Sequence, residues 1–171
     1  MGTRPVLRFD PIAEARRNWE AQGWHDASPG MAMVTSVMRA QQILLARVHD
    51  ALKPFGLTFA QYEALMLLWF SRTGSLPLSK IGHRLQVHPT SVTNVIDRLE
   101  SKQLVERVPH PSDQRTTLAR ITRTGRALAT KATKALNEQV FAATGMADTS
   151  LQALTDSITE MRERAGDFDV D

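Results

Sequence analysis

The 171-residue sequence predicts a mainly α-helical fold with one small β-hairpin, which places it in the α+β class. Three observations support this prediction. Apolar residues recur at helical spacing over most of the chain, only two short β-like runs occur, and a loop rich in turn-forming residues separates them. The composition, with 42% hydrophobic and 23% charged residues, is typical of a globular protein with a substantial core.

The N-terminal part is predicted to contain a short helix, a linker and a long helix. Asp10 and Pro11 suit the N-cap and the first position of the short helix, which should end near Gly23. Residues 25–30 are interpreted as a linker because a Ser-Pro-Gly sequence ends this segment. An apolar stripe then predicts a helix from about residue 32 to residue 52.

The next helix should begin at Thr58, because Thr58 and Gln61 have the spacing of a capping box. Its apolar spacing predicts that one face is buried, formed by Phe59, Tyr62, Leu65, Met66 and Trp69. A brief extended piece, residues 76–78, should follow this helix.

Two short helices joined by a tight turn are predicted after the extended piece. Ser79 is expected to cap the first, and Val87 and His88 to form the turn. The second should start at Pro89 and bury its apolar positions, which are Val92, Ile96 and Leu99. Residues 104–108 and 116–121 then form the predicted hairpin. The resulting order of elements is that of a winged helix–turn–helix.

The C-terminal part is predicted to be helical. Thr122 should cap a long helix that extends to about residue 144, and a final helix should start near Thr149. The remaining tail, from Asp167 to Asp171, is acidic and is expected to fray.

The charged residues are distributed unevenly along the chain. The whole chain has a net charge of +3, but residues 79–134 contain eleven basic and four acidic residues, a net charge of +7. The remainder has ten basic and fourteen acidic residues, a net charge of −4. A basic block of this kind is typical of a module that binds a polyanion, although charge alone also fits a solvated basic helical face.

The second helix of the pair and the hairpin loop favour DNA as the polyanion. The outer positions of that helix hold short polar residues, which allow the backbone to approach base edges in the major groove. Arg115 lies near the hairpin tip, where an arginine is able to enter the adjacent minor groove. Asp113 is expected to hold either the Arg115 guanidinium group or the turn itself.

Several other classes of protein are excluded or disfavoured. The absence of cysteine excludes disulfides, thiolate zinc sites and thiol-based sensing. No phosphate-binding loop, dinucleotide fingerprint or nucleophile elbow occurs, so an enzyme is not expected, nor is a cofactor. No histidine pair has metal-ligand spacing on one helix. No apolar run is long enough to span a membrane and no secretory signal is present, so we expect a cytoplasmic protein.

The sequence resembles the MarR family of bacterial transcription regulators. The resemblance depends on the order of four segments, which are Val-Ile-Asp-Arg-Leu-Glu at 95–100, Leu-Val-Glu-Arg at 104–107, Asp-Gln-Arg at 113–115 and Ile-Thr-Arg-Thr-Gly-Arg at 121–126. It covers residues 31–164. Two residues depart from the family pattern: Gln103 replaces the usual Gly before the wing, and Ile121 replaces the usual Leu.

This resemblance implies a homodimer that binds double-stranded DNA at a pseudo-palindromic operator, as a repressor that a small anionic aromatic ligand releases. The implied divisions are an N-terminal arm at 1–30, a helical dimerisation region at 31–57 and 123–171, and a winged helix–turn–helix at 58–122. The DNA-binding residues that we expect are His88, Pro89, Thr90, Ser91, Thr93, Asn94, Arg98, Arg107, Asp113, Gln114 and Arg115.

The extra N-terminal helix resembles the arm of a urate-responsive subgroup of this family. By position, that subgroup implies a ligand site formed by Trp19, Glu63 and Arg98, with Glu63 where the subgroup usually has Asp. Trp19 is also explained as an aromatic anchor of the arm, and Arg98 as an ion-pairing or phosphate-binding residue. An alternative function for the whole chain is a helical protein-interaction module with a degenerate winged helix.

Overall fold

The computed structural model of the protein describes residues 7–86, 88–113 and 115–169. Within these ranges the fold is mostly helical, with one small three-stranded sheet. In chain order the elements are α1 (Pro11–Ala21), α2 (Ser28–Leu52), α3 (Phe59–Phe70), β1 (Ser75–Pro77), α4 (Leu78–Leu85), α5 (Pro89–Ser101), β2 (Val105–Pro109), β3 (Thr117–Ile121), α6 (Arg123–Leu136) and α7 (Asp148–Arg164). A 3₁₀ turn follows α2 and a π-helical turn, Asn137–Phe141, follows α6. None of the described helices is long and apolar enough to cross a membrane.

The N-terminal helices form a hairpin, and the start of α2 differs from the prediction. Asp10 caps α1 as predicted, because its Oδ1 accepts a hydrogen bond of 2.9 Å from the backbone N–H of Ile12. The predicted linker at 25–30 is wrong at its end, since Ser28-Pro29-Gly30 forms the first turn of α2. Pro29 needs no N–H partner there, and the buried Ser28 donates its hydroxyl hydrogen to Glu20 at 2.9 Å.

Helix α3 crosses the centre of the molecule. Thr58 and Gln61 form the predicted capping box. The predicted buried face is only partly confirmed, because Tyr62 and Leu65 are buried whereas Phe59, Met66 and Trp69 are half-buried. The helix packs against α4, α5 and α6 on different sides, so apolar spacing on one face could not identify all its buried positions. Those positions also include Gln61, Ala64 and Leu68.

The helix pair α4–α5 forms as predicted apart from its first cap, and Val87 of the predicted turn lies outside the described residues. Pro77 is the N-cap of α4 and offers no side-chain hydrogen bond, so the predicted cap at Ser79 is wrong. The reason is that strand β1 leads directly into α4 and Ser79 lies already in the first turn. His88 caps α5, with its Nδ1 accepting from the backbone N–H of Thr90 at 3.3 Å. The predicted inward residues of α5 are buried, with exposures of 3% or less for Val92, Ile96 and Leu99.

The C-terminal end of α5 has the geometry of a Schellman motif. The backbone N–H of Leu104 donates to the carbonyl of Leu99 at 3.0 Å, and that of Gln103 donates to Glu100 at 2.8 Å. Gln103 therefore has a positive φ of 57°. The conformation explains why the family pattern has Gly here, since an L-residue with a side chain is strained in the left-handed region.

The sheet has the strand order β1-β3-β2, with both neighbouring pairs antiparallel. Val105 lies opposite Ile121 at the base of the hairpin, and Pro109 lies opposite Thr117 near its tip. The short β1 pairs with the other side of β3, with Ser75 opposite Arg120. The extended piece predicted at 76–78 is thus found one residue earlier, at 75–77, as a third strand that was not predicted, and Leu78 already begins α4.

Helix α6 connects the wing to the rest of the molecule. Thr122 caps it as predicted, because its hydroxyl oxygen accepts from the backbone N–H of Gly125 at 3.0 Å. A Cβ atom at Gly125 would overlap the carbonyl oxygen of Leu104, so only glycine allows this close approach of α6 to the wing. Helical structure ends at Phe141, three residues before the predicted limit, and Arg47 of α2 donates hydrogen bonds to the carbonyls of Gln139 and Ala143 there.

Helix α7 has no buried residue, and the chain after it turns back toward α4. The side chain of Gln86 donates a hydrogen bond of 3.1 Å to the backbone carbonyl of Asp167. Asp167 and Phe168 are half-buried. The prediction that the acidic tail frays is therefore wrong for these two residues, while Asp171 lies outside the described residues.

Candidate nucleic-acid interface

Helix α5 presents a polar face on the side opposite its buried residues. This polar face consists of exposed residues, which are Thr90, Ser91, Thr93, Asn94 and Arg98. An α-helix of ordinary diameter matches the width of the DNA major groove, and short polar side chains allow close approach. Asn94 has the amide that pairs in a bidentate manner with adenine, while Ser and Thr hydroxyls contact bases or phosphates. The face therefore has the shape and the chemistry for the major groove.

The start of α5 is organised by His88 and Pro89. His88 caps the helix through its ring nitrogen, and its carbonyl accepts from the backbone N–H of Ser91 at 2.8 Å. Pro89 occupies the first helical position, where a missing N–H costs nothing. The thirteen residues of α5 give its N-terminus a partial positive charge, which favours a phosphate at this end of the polar face.

The wing loop is shaped by Asp113. Its Oδ1 accepts from the backbone N–H of Arg115 at 3.0 Å, and its Oδ2 accepts from the Thr116 hydroxyl at 2.7 Å. These hydrogen bonds, first from Thr116 and then from Arg115, hold the pKa of Asp113 below its usual range. Of the two roles expected for Asp113, the structure therefore supports the one in the turn. Arg115 is exposed at this turn, and Gln114 lies outside the described residues.

Arg107 has a different environment from the other candidate arginines. Its guanidinium group forms ion pairs with both Asp97 and Glu100 of α5, and its backbone N–H donates to Glu100 at 3.0 Å. The side chain is 28% exposed. Arg107 therefore fastens strand β2 to α5. Sequence analysis missed these two carboxylate partners, although their spacing of three residues places them on one side of a helix.

The acidic residues of the basic block are all engaged within the fold. Asp97 and Glu100 contact Arg107, Glu106 contacts Arg120 at 2.8 Å across the hairpin, and Asp113 forms the wing turn. Among the residues that the structure describes, Arg98 and Arg115 form no ion pair. The charges of Arg98 on the polar face of α5 and of Arg115 on the wing are therefore available to an external anion.

Comparison with known proteins gives the family. Residues 57–117 match the model of the MarR family. The uncharacterized HTH-type transcriptional regulator YhbI of Bacillus subtilis (strain 168) is 34% identical over 116 residues, which make up 66% of this chain and 74% of that relative. Sco5413, a MarR family transcriptional regulator from Streptomyces coelicolor, is 49% identical, with a TM-score of 0.75 over 83% of this chain and 99% of that chain. The chain belongs to the MarR family.

Two further structures share the fold of this MarR-family chain at lower identity. CouR from Rhodococcus jostii RHA1, bound to p-coumaroyl-CoA, is 24% identical, with a TM-score of 0.69 over 81% of this chain and 95% of that chain. Sco3205 from S. coelicolor, in complex with DNA, is 20% identical, with a TM-score of 0.69 over 78% of this chain and 88% of that chain. The protein is a transcriptional regulator of the MarR family, and solved structures with this fold include one with DNA and one with a ligand.

The three expected ligand residues of this MarR-family chain lie on three different helices. Trp19 of α1 packs edge-on against Trp24, with 5.2 Å between the two ring centres. It also lines a shallow hollow formed by α1 and the connection to α2. Glu63 is half-buried on α3, and this burial raises the pKa of its carboxyl group. Arg98 is exposed on α5. The hollow at Trp19 contains neither of the other two residues within the described part of the chain.

Proposed function

We propose that the protein binds a pseudo-palindromic double-stranded operator as a homodimer and represses transcription, acting in the cytoplasm. The observation that carries this proposal is the combination of the polar face of α5 with an exposed Arg115 on the adjacent wing. In addition, Arg98 and Arg115 form no ion pair with other described residues, so their charges are available to phosphates.

In the proposed complex, α5 enters the major groove and the wing lies along the adjacent minor groove. Thr90, Ser91 and Asn94 contact base edges or phosphates, while Arg98 contacts a phosphate. Arg115 enters the minor groove, where the potential is most negative. His88, Pro89, Thr93, Asp113 and Gln114 are proposed to complete the contact surface. For Arg107 we propose a positioning role, because its two carboxylate partners hold it between β2 and α5.

A homodimer is proposed because α2 and the C-terminal helices expose a large apolar surface in the single chain. Eleven large apolar side chains of these segments are 36–58% exposed, namely Met33, Val34, Val37, Met38, Ile43, Leu44, Leu45, Phe141, Met146, Leu154 and Met161. Monomeric proteins rarely expose contiguous apolar surface on this scale. An apolar groove of about 750 Å³ between α2, the π-helical turn and α7 continues the surface, and we propose that a second copy of the chain covers it.

DNA binding is tested by fluorescence anisotropy with DNA from the protein's own promoter region. We expect nanomolar-range affinity and a steep decrease with salt. Arg115→Ala should weaken binding about tenfold, and it should reduce the slope of log affinity against log salt concentration by about one. Arg17→Ala, which removes an exposed arginine from α1, is the matched control and should change little. Equal affinity for promoter DNA and unrelated DNA at every salt concentration would contradict the proposal.

Repression follows from the proposed operator contact, because a dimer bound across a promoter blocks access of the polymerase. A promoter–reporter fusion with and without the regulator tests the sign of regulation. Removal of the regulator should raise expression. A fall in expression would show that the protein activates transcription.

We also propose that a small anionic aromatic ligand releases the DNA, through Trp19, Glu63 and Arg98. CouR, which has the same fold, holds p-coumaroyl-CoA, an aromatic thioester with anionic phosphates. Arg98 is proposed here both as a phosphate contact and as a ligand contact, so an anion bound to it would remove one cation from the DNA surface.

A thermal-shift screen of purines and aromatic acids tests the ligand proposal. A ligand should raise the melting temperature of the protein, and Trp19→Ala should remove that increase. Phe70→Ala, at a residue that is 78% exposed on α3, is the control for loss of an aromatic side chain. No stabilisation by any compound, or an undiminished shift in Trp19→Ala, would eliminate this ligand site.

A further inference from the structure

The residues after α7 form a turn that is folded onto the DNA-binding part of the same chain. Helix α7 has seventeen residues and spans about 25 Å. It ends in a Schellman motif, in which Gly166 has a φ of 73° and the backbone N–H of Asp167 donates to Arg162 at 3.0 Å. This motif redirects the chain, and we refer to residues 165–169 as the C-terminal tail.

One contact joins the C-terminal tail to the helix pair α4–α5, and two join it to the end of α7. Gln86, in the turn between α4 and α5, donates a hydrogen bond of 3.1 Å to the backbone carbonyl of Asp167. Arg162 pairs with the carboxylate of Asp167 at 2.7 Å, and its guanidinium carbon lies 5.2 Å from the ring centre of Phe168. Asp167 and Phe168 are half-buried as a result.

The C-terminal tail borders one edge of the polar face of α5, at Thr93. Gly166 and Asp167 line a cleft of about 740 Å³ together with α4 and the first turns of α5, including Val92 and Thr93. Thr93 belongs to the polar face of α5. The carboxylate of Asp167, which pairs with Arg162, therefore lies beside this cleft, along which we propose that a DNA backbone passes. Like charges repel, and the repulsion is stronger at low salt.

We propose that the C-terminal tail is an autoinhibitory segment, which docks on Gln86 beside α5 and competes with the DNA backbone for that edge of the polar face. The proposal rests on the proposed function as a DNA-binding regulator. Bound DNA and the docked tail exclude each other, so the tail lowers the affinity for DNA until it is released. The proposal depends on the position of Asp167, which lines the same cleft as Thr93 of α5.

Truncation after Arg164 is the direct test, because it removes residues 165–171, which comprise the tail and two further residues and contain three aspartates. The truncated protein should bind promoter DNA about threefold to tenfold more tightly at low salt, with a smaller gain at high salt. The control keeps the tail and neutralises three exposed acids of α7, with Asp156→Asn, Glu160→Gln and Glu163→Gln. This control changes the net charge by the same amount as the truncation, and its gain in affinity for DNA should be smaller.

Two variants release the tail without altering the net charge. Phe168→Ala removes the contact with Arg162, and Gln86→Asn shortens the side chain that reaches Asp167 while keeping a residue type that tolerates the φ of 52° at this position. Both should increase affinity for DNA, and both should increase hydrogen–deuterium exchange in the tail. Addition of DNA to the unaltered protein should increase that exchange as well.

The outcomes separate this inference from the proposed function. If the full chain binds promoter DNA and neither truncation nor Phe168→Ala increases affinity, the inference is overturned and the proposed function stands. A loss of affinity on truncation, with the dimer intact, also overturns it. If only the truncated protein binds DNA, both proposals are supported. If neither protein binds DNA, the proposed function fails and the inference fails with it.

Discussion

Three arginines of the winged helix–turn–helix show how the surroundings of a residue decide its role. Arg98 and Arg115 are exposed and form no ion pair among the described residues, whereas Arg107 is held by Asp97 and Glu100. Charge-assisted hydrogen bonds to two carboxylates fix the guanidinium group of Arg107 in position. The same residue type is therefore proposed as an anion contact at two positions, whereas at the third it joins β2 to α5.

We expect Arg107→Gln to weaken DNA binding without changing its salt slope. The substitution releases β2 from α5 but removes no cation from the DNA surface, so the number of displaced counterions stays the same. The free energy of unfolding should fall by about 1 kcal/mol, as for a well-oriented but partly exposed ion-pair network. Salt titrations of anisotropy beside urea unfolding measure both quantities. If the slope of log affinity against log salt concentration became smaller by about one, as expected for Arg115→Ala, Arg107 would instead contact a phosphate.

Asp113 gives a prediction about pH. Its hydrogen bonds to Thr116 and Arg115 lower its pKa in the folded protein, so their stabilising effect is complete above the ordinary Asp pKa and is lost as the pH falls through the lowered value. The backbone amide signal of Arg115 should therefore titrate with a midpoint below about 3.9. NMR spectra over an acid titration measure this midpoint. Asp113→Asn should abolish the titration, and a midpoint at or above the ordinary value would contradict the turn geometry.

At the scale of elements, the end of α5 contains a residue that its conformation does not favour. Gln103 has a φ of 57° within a Schellman motif. Gln103→Gly should raise the free energy of unfolding by about 0.5–1 kcal/mol, because relief of the left-handed strain exceeds the added flexibility of the unfolded chain. Thermal or urea unfolding measures the change. Lys102→Gly, at the preceding residue with a φ of −91°, is the control and should destabilise the protein.

The elements that sequence analysis placed correctly are those governed by local interactions. The caps at Asp10, Thr58 and Thr122 each join a side chain to a backbone N–H two or three residues away, so the sequence alone contains both partners. The cap expected at Ser79 failed because the pairing of β1 with β3 carries the chain directly into α4. The linker expected before α2 failed in a similar way, since Glu20 holds Ser28.

In the candidate site as well, the features set by local sequence could be predicted, whereas the tertiary contacts could not. The polar face of α5 follows from helical periodicity, because the buried positions Val92, Ile96 and Leu99 determine which residues point outward. The carboxylate partners of Arg107 depend on how β2 packs on α5. The hydrogen bond between Gln86 and Asp167 joins residues 81 positions apart. Contacts of this kind depend on tertiary structure, which no local pattern contains.

At the scale of the whole molecule, the exposed apolar surface of α2 predicts that a single substitution separates the dimer. Leu44 is 48% exposed on this surface, and burial of a leucine side chain contributes about 1.5–3 kcal/mol. Leu44→Glu should therefore shift the protein toward monomers and weaken operator binding, which needs two half-sites. Sedimentation or light scattering measures the mass, and anisotropy measures the affinity.

The matched control is Ala46→Glu, which introduces the same side chain at an exposed position of α2 on the opposite side of the helix from Leu44. It should leave both the mass and the affinity unchanged. If Leu44→Glu remains dimeric, the dimer interface lies elsewhere and the apolar surface needs another occupant.

The position of β3 in the centre of the three-stranded sheet has a mechanical consequence. Backbone hydrogen bonds join β3 both to β2 in the wing and to β1, and β1 is continuous with α4. The wing is thus unable to swing independently of the helix pair. In the proposed complex, the major-groove contacts of α5 and the minor-groove contacts of the wing therefore keep a fixed spacing relative to each other. In the proposed dimer, an adjustment to the spacing of the operator half-sites must therefore come from the angle between the two winged helix–turn–helix units. Helices α2, α6 and α7 set that angle.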